Sequence, residues 1–406
     1  MFGPTDIQPI GLDIGHDSVK MLQVEVRGNS LAVRALARRP LELSGRGEAA
    51  LDAALAVAAQ TIKRGPFVGR HVVAALPRDI VHLKNLRLPM IPAAELPAAI
   101  KFEARNIFTF DTDAARCDYI AAGEVRQGAD TRQEVIVIAA RNSDIDGYIE
   151  RLDRFGLIVD SLDVEPCALY RSVERFIRRR DDEQEVNVLL DVGLRRTQVI
   201  IGRGREMSFL KPIDIGGQRL NESVSRKLGI SPEEARVLRR HRTDASGVPA
   251  ADMALRDSVR QAVFNATRVT LEELGHEVSL CLRYYSVTFR GPGPQKVRLM
   301  GGEAHDPYLA SVLTSVLSIP AEPAAPLFNV DCSAIAESER QGPMSEWSTA
   351  LGLALKKAPG PFAARDGKPR QGARLGIGEV IDINKAIAGA ESSGADGKSF
   401  AEAASA

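Results

Sequence analysis

The chain carries one short motif twice, and this duplication limits the folds open to it more than any other feature. From Gly11 to Lys20 it reads Gly-Leu-Asp-Ile-Gly-His-Asp-Ser-Val-Lys, and from Leu189 to Gln198 it reads Leu-Leu-Asp-Val-Gly-Leu-Arg-Arg-Thr-Gln. Each is an apolar strand ending in Asp-x-Gly, then a polar turn, a second strand and a further Gly-bearing turn, Arg27-Gly28-Asn29 or Arg203-Gly204-Arg205. A glycine at the first bend lets backbone N–H groups approach an anion closely. The carboxylate beside it can hold a metal-bound water on phosphate oxygens. Two such units facing each other predict a cleft between two halves of the molecule, with a nucleoside triphosphate as its ligand.

A chain of 406 residues is too long for one compact core and predicts two or more domains. Lys+Arg and Asp+Glu both number 53, so the formal charge is zero. This argues against a charge-driven nucleic-acid binder and against whole-molecule attraction to anionic lipid. Cys117, Cys167, Cys281 and Cys332 are scattered without a Cys-x-x-Cys pair, which predicts reduced thiols rather than disulfides or a zinc site. No apolar run reaches membrane-spanning length, and the N-terminus lacks a basic signal sequence, so the expected location is the cytoplasm.

Along the chain, residues 1–80 read as a first lobe, completed by 165–185: a strand meander, an alanine-rich helix from Glu48 to Arg64 and a buried strand at His71–Leu76. Residues 81–164 read as a small α+β insert. It holds a helix from Ala94 to Ile107, strands near Tyr119 and Glu134, a helix capped by Ser143 and a strand at Leu157–Leu162. Residues 186–356 read as the second lobe, with a helix after Asp214-Ile-Gly-Gly, another at Ser231-Pro232, a polar break at His241–Ala251 and a long helix from Ala254 to Tyr285. From 357 to 406 the composition shifts to Gly, Ala, Ser, Pro, Lys and Arg, which reads as a disordered tail.

A third glycine turn, Gly301-Gly302, follows the strand Val297–Met300. Two Asp-x-Gly hairpins followed by a Gly-Gly turn resemble the actin, sugar-kinase and heat-shock-chaperone ATPase superfamily, which implies an actin-like fold of two ribonuclease H-like lobes. Within it the chain resembles the PilM family of type IV pilus assembly proteins, which is related to FtsA. The resemblance runs from Ile10 to Lys356 and rests on ordered blocks: Leu88-Pro89 with Ala99-Ile100-Lys101-Phe102-Glu103-Ala104, Ile138-Ala139-Ala140-Arg141, Asp163-Val164-Glu165-Pro166, Ile215-Gly216-Gly217, Leu282-Arg283-Tyr284-Tyr285-Ser286 and Ala350-Leu351-Gly352-Leu353.

The resemblance implies ATP and Mg²⁺ as ligands. Asp13, Gly15, Ser18 and Lys20 are the implied first phosphate loop; Asp191, Gly193 and Thr197 the second. Gly216 and Gly217 are implied to approach the nucleotide, and Gly301 and Gly302 to lie beneath its base. Asp13 and Asp191 would hold the metal through water. Four residues depart from the family pattern: His16 and Asp17 in the first loop, Arg236 where an acid is expected, and Glu303 where a third glycine is common. No general base for hydrolysis and no histidine set with metal-ligand spacing is identifiable, so at most a weak ATPase is expected and not a metabolic enzyme.

The resemblance also implies a groove on the insert that receives an N-terminal peptide of the membrane protein PilN, with Phe102, Phe108 and Phe110 as lining or core. The expected role is a nucleotide-binding cytoplasmic scaffold of the inner-membrane pilus or secretion platform, peripheral to the membrane through its partners. Readings left open are an FtsA-like cytoskeletal protein, a phosphotransferase, a type II secretion platform component and a static nucleotide-free adaptor. An apolar island in the tail, Leu375–Asn384, reads either as fortuitous or as a docking segment.

Overall fold

A computed structural model describes residues 5–41, 47–127, 130–177, 179–240, 250–340 and 344–358. The first lobe opens with strands β1 (Thr5–Ile7), β2 (Ile10–Ile14), β3 (Ser18–Arg27) and β4 (Ser30–Pro40), helix α1 (Gly47–Arg64) and strand β5 (His71–Ala75). The insert follows as β6 (His82–Pro89), α2 (Leu96–Ile107), β7 (Ala115–Gln127) and β8 (Asp130–Arg141). Helix α3 (Asn142–Arg154), strand β9 (Ile158–Asp163) and helix α4 (Glu165–Glu174) lead to the second lobe. That lobe comprises β10 (Val186–Val192), β11 (Thr197–Arg203), β12 (Glu206–Ile213), α5 (Gly217–Leu228), α6 (Pro232–Arg240), α7 (Ala250–Phe289), β13 (Val297–Met300), α8 (Leu309–Leu317) and β14 (Ala321–Pro323), after which α9 (Ser348–Ala354) closes the fold.

The duplication seen in ten residues extends to whole sheets. The first sheet runs β4-β3-β2-β5-β9, with β1 added beside the far end of β3. The second runs β12-β11-β10-β13-β14. In both, the first three strands form antiparallel hairpins and the last two run parallel to the strand that bears Asp-x-Gly. Parallel neighbours need crossover connections, and the helices that supply them cover the sheets. Strand β3 is buried at every position but its last because both its faces are covered. Val19 and Met21 join the core under α1, while Leu22, Val24 and Val26 pack with Trp347 and Leu351 near α9.

Three expected boundaries need correction. Strand β9 pairs in parallel with β5, so it belongs to the first-lobe sheet and not to an insert reaching residue 164. Helix α9, expected in the second lobe, lies on the first. A Cβ on Gly11 of β2 would stand 2.0 Å from the Ala350 carbonyl oxygen, and one on Gly352 would stand 1.7 Å from that of Ala168. Only glycine at both positions lets the helix approach strand and α4 so closely. Ser143 does not cap α3; the N-cap is Arg141, in extended conformation, and makes no side-chain cap bond. The tail island lies outside the described residues, as does most of the expected break before α7. All four cysteines are free thiols, as expected.

The insert is a three-stranded antiparallel sheet, β6-β8-β7, and its central strand is apolar on both faces. Val135, Val137 and Ala139 meet Leu96, Ile100 and Ala104 of α2, whereas Ile136, Ile138 and Ala140 join the first-lobe core. Period-two alternation thus fastens the insert to the lobe beneath it. Arg87 Nη2 also donates to the Tyr284 hydroxyl at 2.8 Å, linking β6 to α7 of the second lobe.

Candidate functional site

Both hairpin turns close in the same way. The Gly15 N–H donates to the Ser18 carbonyl at 3.0 Å, and the Gly193 N–H donates to the Arg196 carbonyl at 3.0 Å. Each Asp-x-Gly acid lies at the carboxyl end of a central strand of its sheet, the end at which open α/β sheets place ligands. Asp13 is the register partner of Lys20, whose Nζ meets Asp13 Oδ2 at 3.0 Å. Burial raises the Asp13 carboxyl in spite of Lys20, and Glu165 adds to the rise. Lys20 is desolvated too, yet Asp13 and Asp17 together hold it above its ordinary range.

Two residues that sequence reasoning left without a role complete this end of the cleft. Arg78 follows β5, and Glu165 opens α4 directly after β9, so both leave the carboxyl ends of parallel strands. That placement is the signal by which they were findable. The Arg78 guanidinium is bidentate on Glu165, and its Nη2 reaches Asp191 Oδ2 at 3.2 Å, joining the first lobe to the second hairpin. Burial pushes Asp191 well above the usual carboxylate range, and Glu165 beside it adds to the rise. Burial alone would raise Glu165 as well, but Arg78 outweighs it and holds that carboxyl below its usual value. His16 is lowered by burial and by Arg195 and Arg78, which keeps its ring neutral near pH 7.

The expected ligand hydroxyls are used internally. Thr197 is fully buried, and its Oγ1 donates to the Ile215 carbonyl at 2.7 Å. Ser18, equally buried, donates to Asp17 Oδ1 at 3.0 Å. Both sit at the first position of a buried strand, where the side chain turns into the fold, so neither hydroxyl is free for phosphate in this structure. The glycines also differ in role. A Cβ on Gly216 would lie 2.6 Å from the Gly193 carbonyl oxygen, and one on Gly217 would lie 2.2 Å from Glu303 Oε1. The first amides of α5 are tied to the second turn, Gly217 N–H to Gly193 O at 3.0 Å and Gln218 N–H to Leu194 O at 2.6 Å. Gly301 has φ +85° and packs on Asp191, whereas Gly302 faces open space.

Three of the four departures from the family pattern, Asp17, Arg236 and Glu303, fall in one ion-pair cluster. Asp17 Oδ2 accepts from Arg236 Nη2 at 3.2 Å and from Arg240 Nη2 at 3.1 Å, both on α6 of the second lobe. Burial alone would raise the Asp17 carboxyl, but the charges of Lys20, Arg240 and Arg38 outweigh it and pull it down to about 2. Glu303 is buried and accepts from Arg239 Nη2 at 2.7 Å and Arg240 Nη2 at 3.0 Å. Arg239 is held further by Asn221 at 2.6 Å and Asp306 at 2.7 Å. Its own charge outlasts burial because Glu303 and Asp306 flank it. The cleft is thus bridged by two ion-pair clusters, Arg78 with Glu165 and Asp191 at one place, and Asp17 and Glu303 with the α6 arginines at the other.

A model of the type IV pilus assembly protein PilM matches residues 11–358. The chain belongs to the PilM family. Among solved structures it is similar to the PilM–PilN type IV pilus biogenesis complex, at 26% identity and a TM-score of 0.69, over 86% of this chain and 98% of that one. It is also similar in fold to the ethanolamine utilization protein EutJ from Carboxydothermus hydrogenoformans, at 14% identity and a TM-score of 0.50, over 87% of this chain and 91% of that one. The actin-like architecture expected from the hairpins is therefore the one observed.

The insert of this PilM family member separates the three expected phenylalanines. Phe108 is buried against α2 and the sheet. Phe110 is half-buried, its ring centroid 4.8 Å from that of His82. Phe102 is 64% exposed on α2 and is the one that presents apolar surface. No helix among the described residues is long and apolar enough to cross a membrane.

The nucleotide end can be tested for fit. Arg38, Arg236 and Arg240 converge on Asp17, and Lys20 lies on Asp13 beside it, which together make a donor set suited to a phosphate oxyanion. Asp13, Glu165 and Asp191 supply acids on the other side. Among the described residues no group of three or more acids, histidines or cysteines is placed to hold a metal ion directly. Glu303 lies over Gly217, one of the two glycines expected to approach the nucleotide.

Proposed function

We propose that this protein is the PilM-type adaptor of a type IV pilus assembly platform, docking an N-terminal segment of a PilN-like membrane protein on its insert and so standing at the inner membrane without entering it. The observation that carries this reading is the likeness to the PilM–PilN complex, which spans 98% of that chain, together with the family match over 11–358. Exposed Phe102 on α2, above a core of Leu96, Ile100 and Ala104, marks the face on which an apolar peptide side chain would settle. Calorimetric titration of the full chain with the cytoplasmic N-terminal peptide of the cognate PilN checks it. Binding that Phe102→Ala weakens is the expected result, and absence of binding to the unmodified chain would sink the reading.

A second reading concerns the cleft, and the cradle of cations around Asp17 favours it. ATP with Mg²⁺ would be held at its phosphates by Lys20 and the α6 arginines, with the metal waters on Asp13 and Asp191. The nucleotide would supply charge that links the lobes, and its metal would neutralise part of the phosphate charge. This chain's own residues orient the phosphates and keep the acids apart. Binding there means exchanging internal ion pairs for ligand contacts, and at the base end it requires Glu303 to leave Gly217. Titration with ATP and Mg²⁺, repeated for Asp191→Ala, is the test. Heat of binding lost in the variant supports the site; none in either protein makes this a static adaptor.

A further inference from the structure

Asp17 lies on the turn between β2 and β3, on the first lobe, with its side chain only 12% exposed. Three guanidinium groups face it: Arg38 Nη2 at 3.5 Å from β4, and Arg236 and Arg240 at 3.2 and 3.1 Å from α6. Ser18 donates to the other carboxylate oxygen, so both oxygens of Asp17 are engaged by the protein. Arg38 comes from the same lobe as Asp17, but Arg236 and Arg240 come from the other, so this carboxylate crosses the cleft. Arg240 divides itself between Asp17 and Glu303. Asp17 is thus shared by Arg38, Arg236 and part of Arg240, while Lys20 lies on Asp13. A phosphate-class oxyanion brings more charge and more acceptor oxygens to the same donors.

We infer that Arg38, Arg236 and Arg240 form an inter-lobe site for phosphate-class oxyanions whose resident occupant is Asp17, so that the chain's own carboxylate draws the lobes together without a ligand. The inference rests on the nucleotide reading only in naming the competitor: nucleotide phosphates would replace Asp17 rather than create the closed cleft. It accounts for two departures at once. An acid is found in the phosphate turn and an arginine on α6 because each partners the other. The cluster is partly solvated, with Arg38 40%, Arg240 31% and Arg236 21% exposed, so a soluble anion can reach it.

The test uses the full chain and pyrophosphate as the probe. Asp17→Asn removes the resident charge and keeps the shape. Its expected effects are a roughly tenfold gain in pyrophosphate affinity over the parent and faster amide hydrogen exchange in α6, reversed by pyrophosphate. Arg236→Gln with Arg240→Gln attacks the site from the other lobe; it is expected to speed exchange in the β2–β3 turn and to abolish the gain when combined with Asp17→Asn. This second variant also decides the matter if Asp17→Asn does not fold. Parent-like exchange and parent-like pyrophosphate affinity in the folded variants would overturn the proposal. ATP–Mg²⁺ titrations of the same proteins separate the two ideas. A pyrophosphate response without ATP binding removes the nucleotide reading and leaves this one standing. ATP binding that Asp17→Asn leaves unchanged, without a pyrophosphate gain, does the reverse.

Discussion

The two Asp-x-Gly hairpins share a backbone and a turn hydrogen bond, yet they carry opposite side-chain loads. The first turn holds His16 and the acid Asp17, and its lysine lies on its own aspartate at 3.0 Å. The second holds Arg195 and Arg196 and has its turn carbonyls taken by the first amides of α5. The turn of the first hairpin reaches across the cleft by charge; the turn of the second is fixed in place by backbone, and its strand acid Asp191 is met by Arg78 of the other lobe. A duplicated fold therefore does not make a symmetric site. Main-chain geometry is copied with the strand pattern, while the charges at the bend are free to diverge until they suit the opposite lobe.

The comparison can be broken most severely at Arg78, which serves both lobes. Arg78→Ala leaves Glu165 and Asp191 as buried carboxylates without a cation, and losses of this type run to about 3–5 kcal/mol. Without the guanidinium both acids should have folded pKa values above their unfolded ones. Their favourable contribution is then present below about pH 4 and lost as pH rises through the raised values. Chemical denaturation should accordingly show the variant's deficit larger at pH 8 than at pH 5, and a deficit independent of pH would count against the coupled pair.

Asp17 tests the charged hairpin with the opposite sign. Its carboxyl is depressed to about 2 from an ordinary value of 3.8. The stability it confers is present above pH 4 and disappears as pH falls from about 4 to 2. The shift corresponds to roughly 2 kcal/mol at most. Comparing parent and Asp17→Asn, denaturation midpoints should differ at pH 6 and converge near pH 2. Equal midpoints at pH 6 would show that the α6 arginines do not hold Asp17 in solution.

The smallest effect belongs to the backbone-fixed hairpin. Thr197→Val removes one buried hydrogen bond to Ile215 and should cost on the order of 1 kcal/mol, with no change in ATP or pyrophosphate affinity. A loss of affinity would return the Thr197 hydroxyl to the ligand set. Ser18→Ala is the matching change in the first hairpin and should act on anion affinity instead, because that hydroxyl supports Asp17.

Much of the fold was legible because it rests on local pattern. Apolar alternation and glycine at two bends announced the hairpins, and their repetition announced two lobes. Asp13 and Lys20, seven residues apart, were readable as neighbours because a two-strand turn places them in register. The return of α9 to the first lobe was harder to see. Its evidence was two glycines, Gly11 and Gly352, more than three hundred positions apart in the numbering, each meaningful only once the other element lies against it. The same holds for β9, whose apolar run fits an insert strand as well as a lobe strand until β5 pairs with it.

The site divides along the same line. The sequence by itself determined the two turns, their acids and glycines, the family and the odd residues Asp17, Arg236 and Glu303, since each of these is a matter of residue type at a fixed local spacing. Only the tertiary structure decided that Asp17 meets Arg236 and Arg240, that Arg78 binds Glu165 and Asp191, and that Ser18 and Thr197 turn inward. Ion pairs between lobes depend on where two separately folded sheets come to rest, and on which face of a helix a long side chain leaves. Neither is written in a window of neighbouring residues.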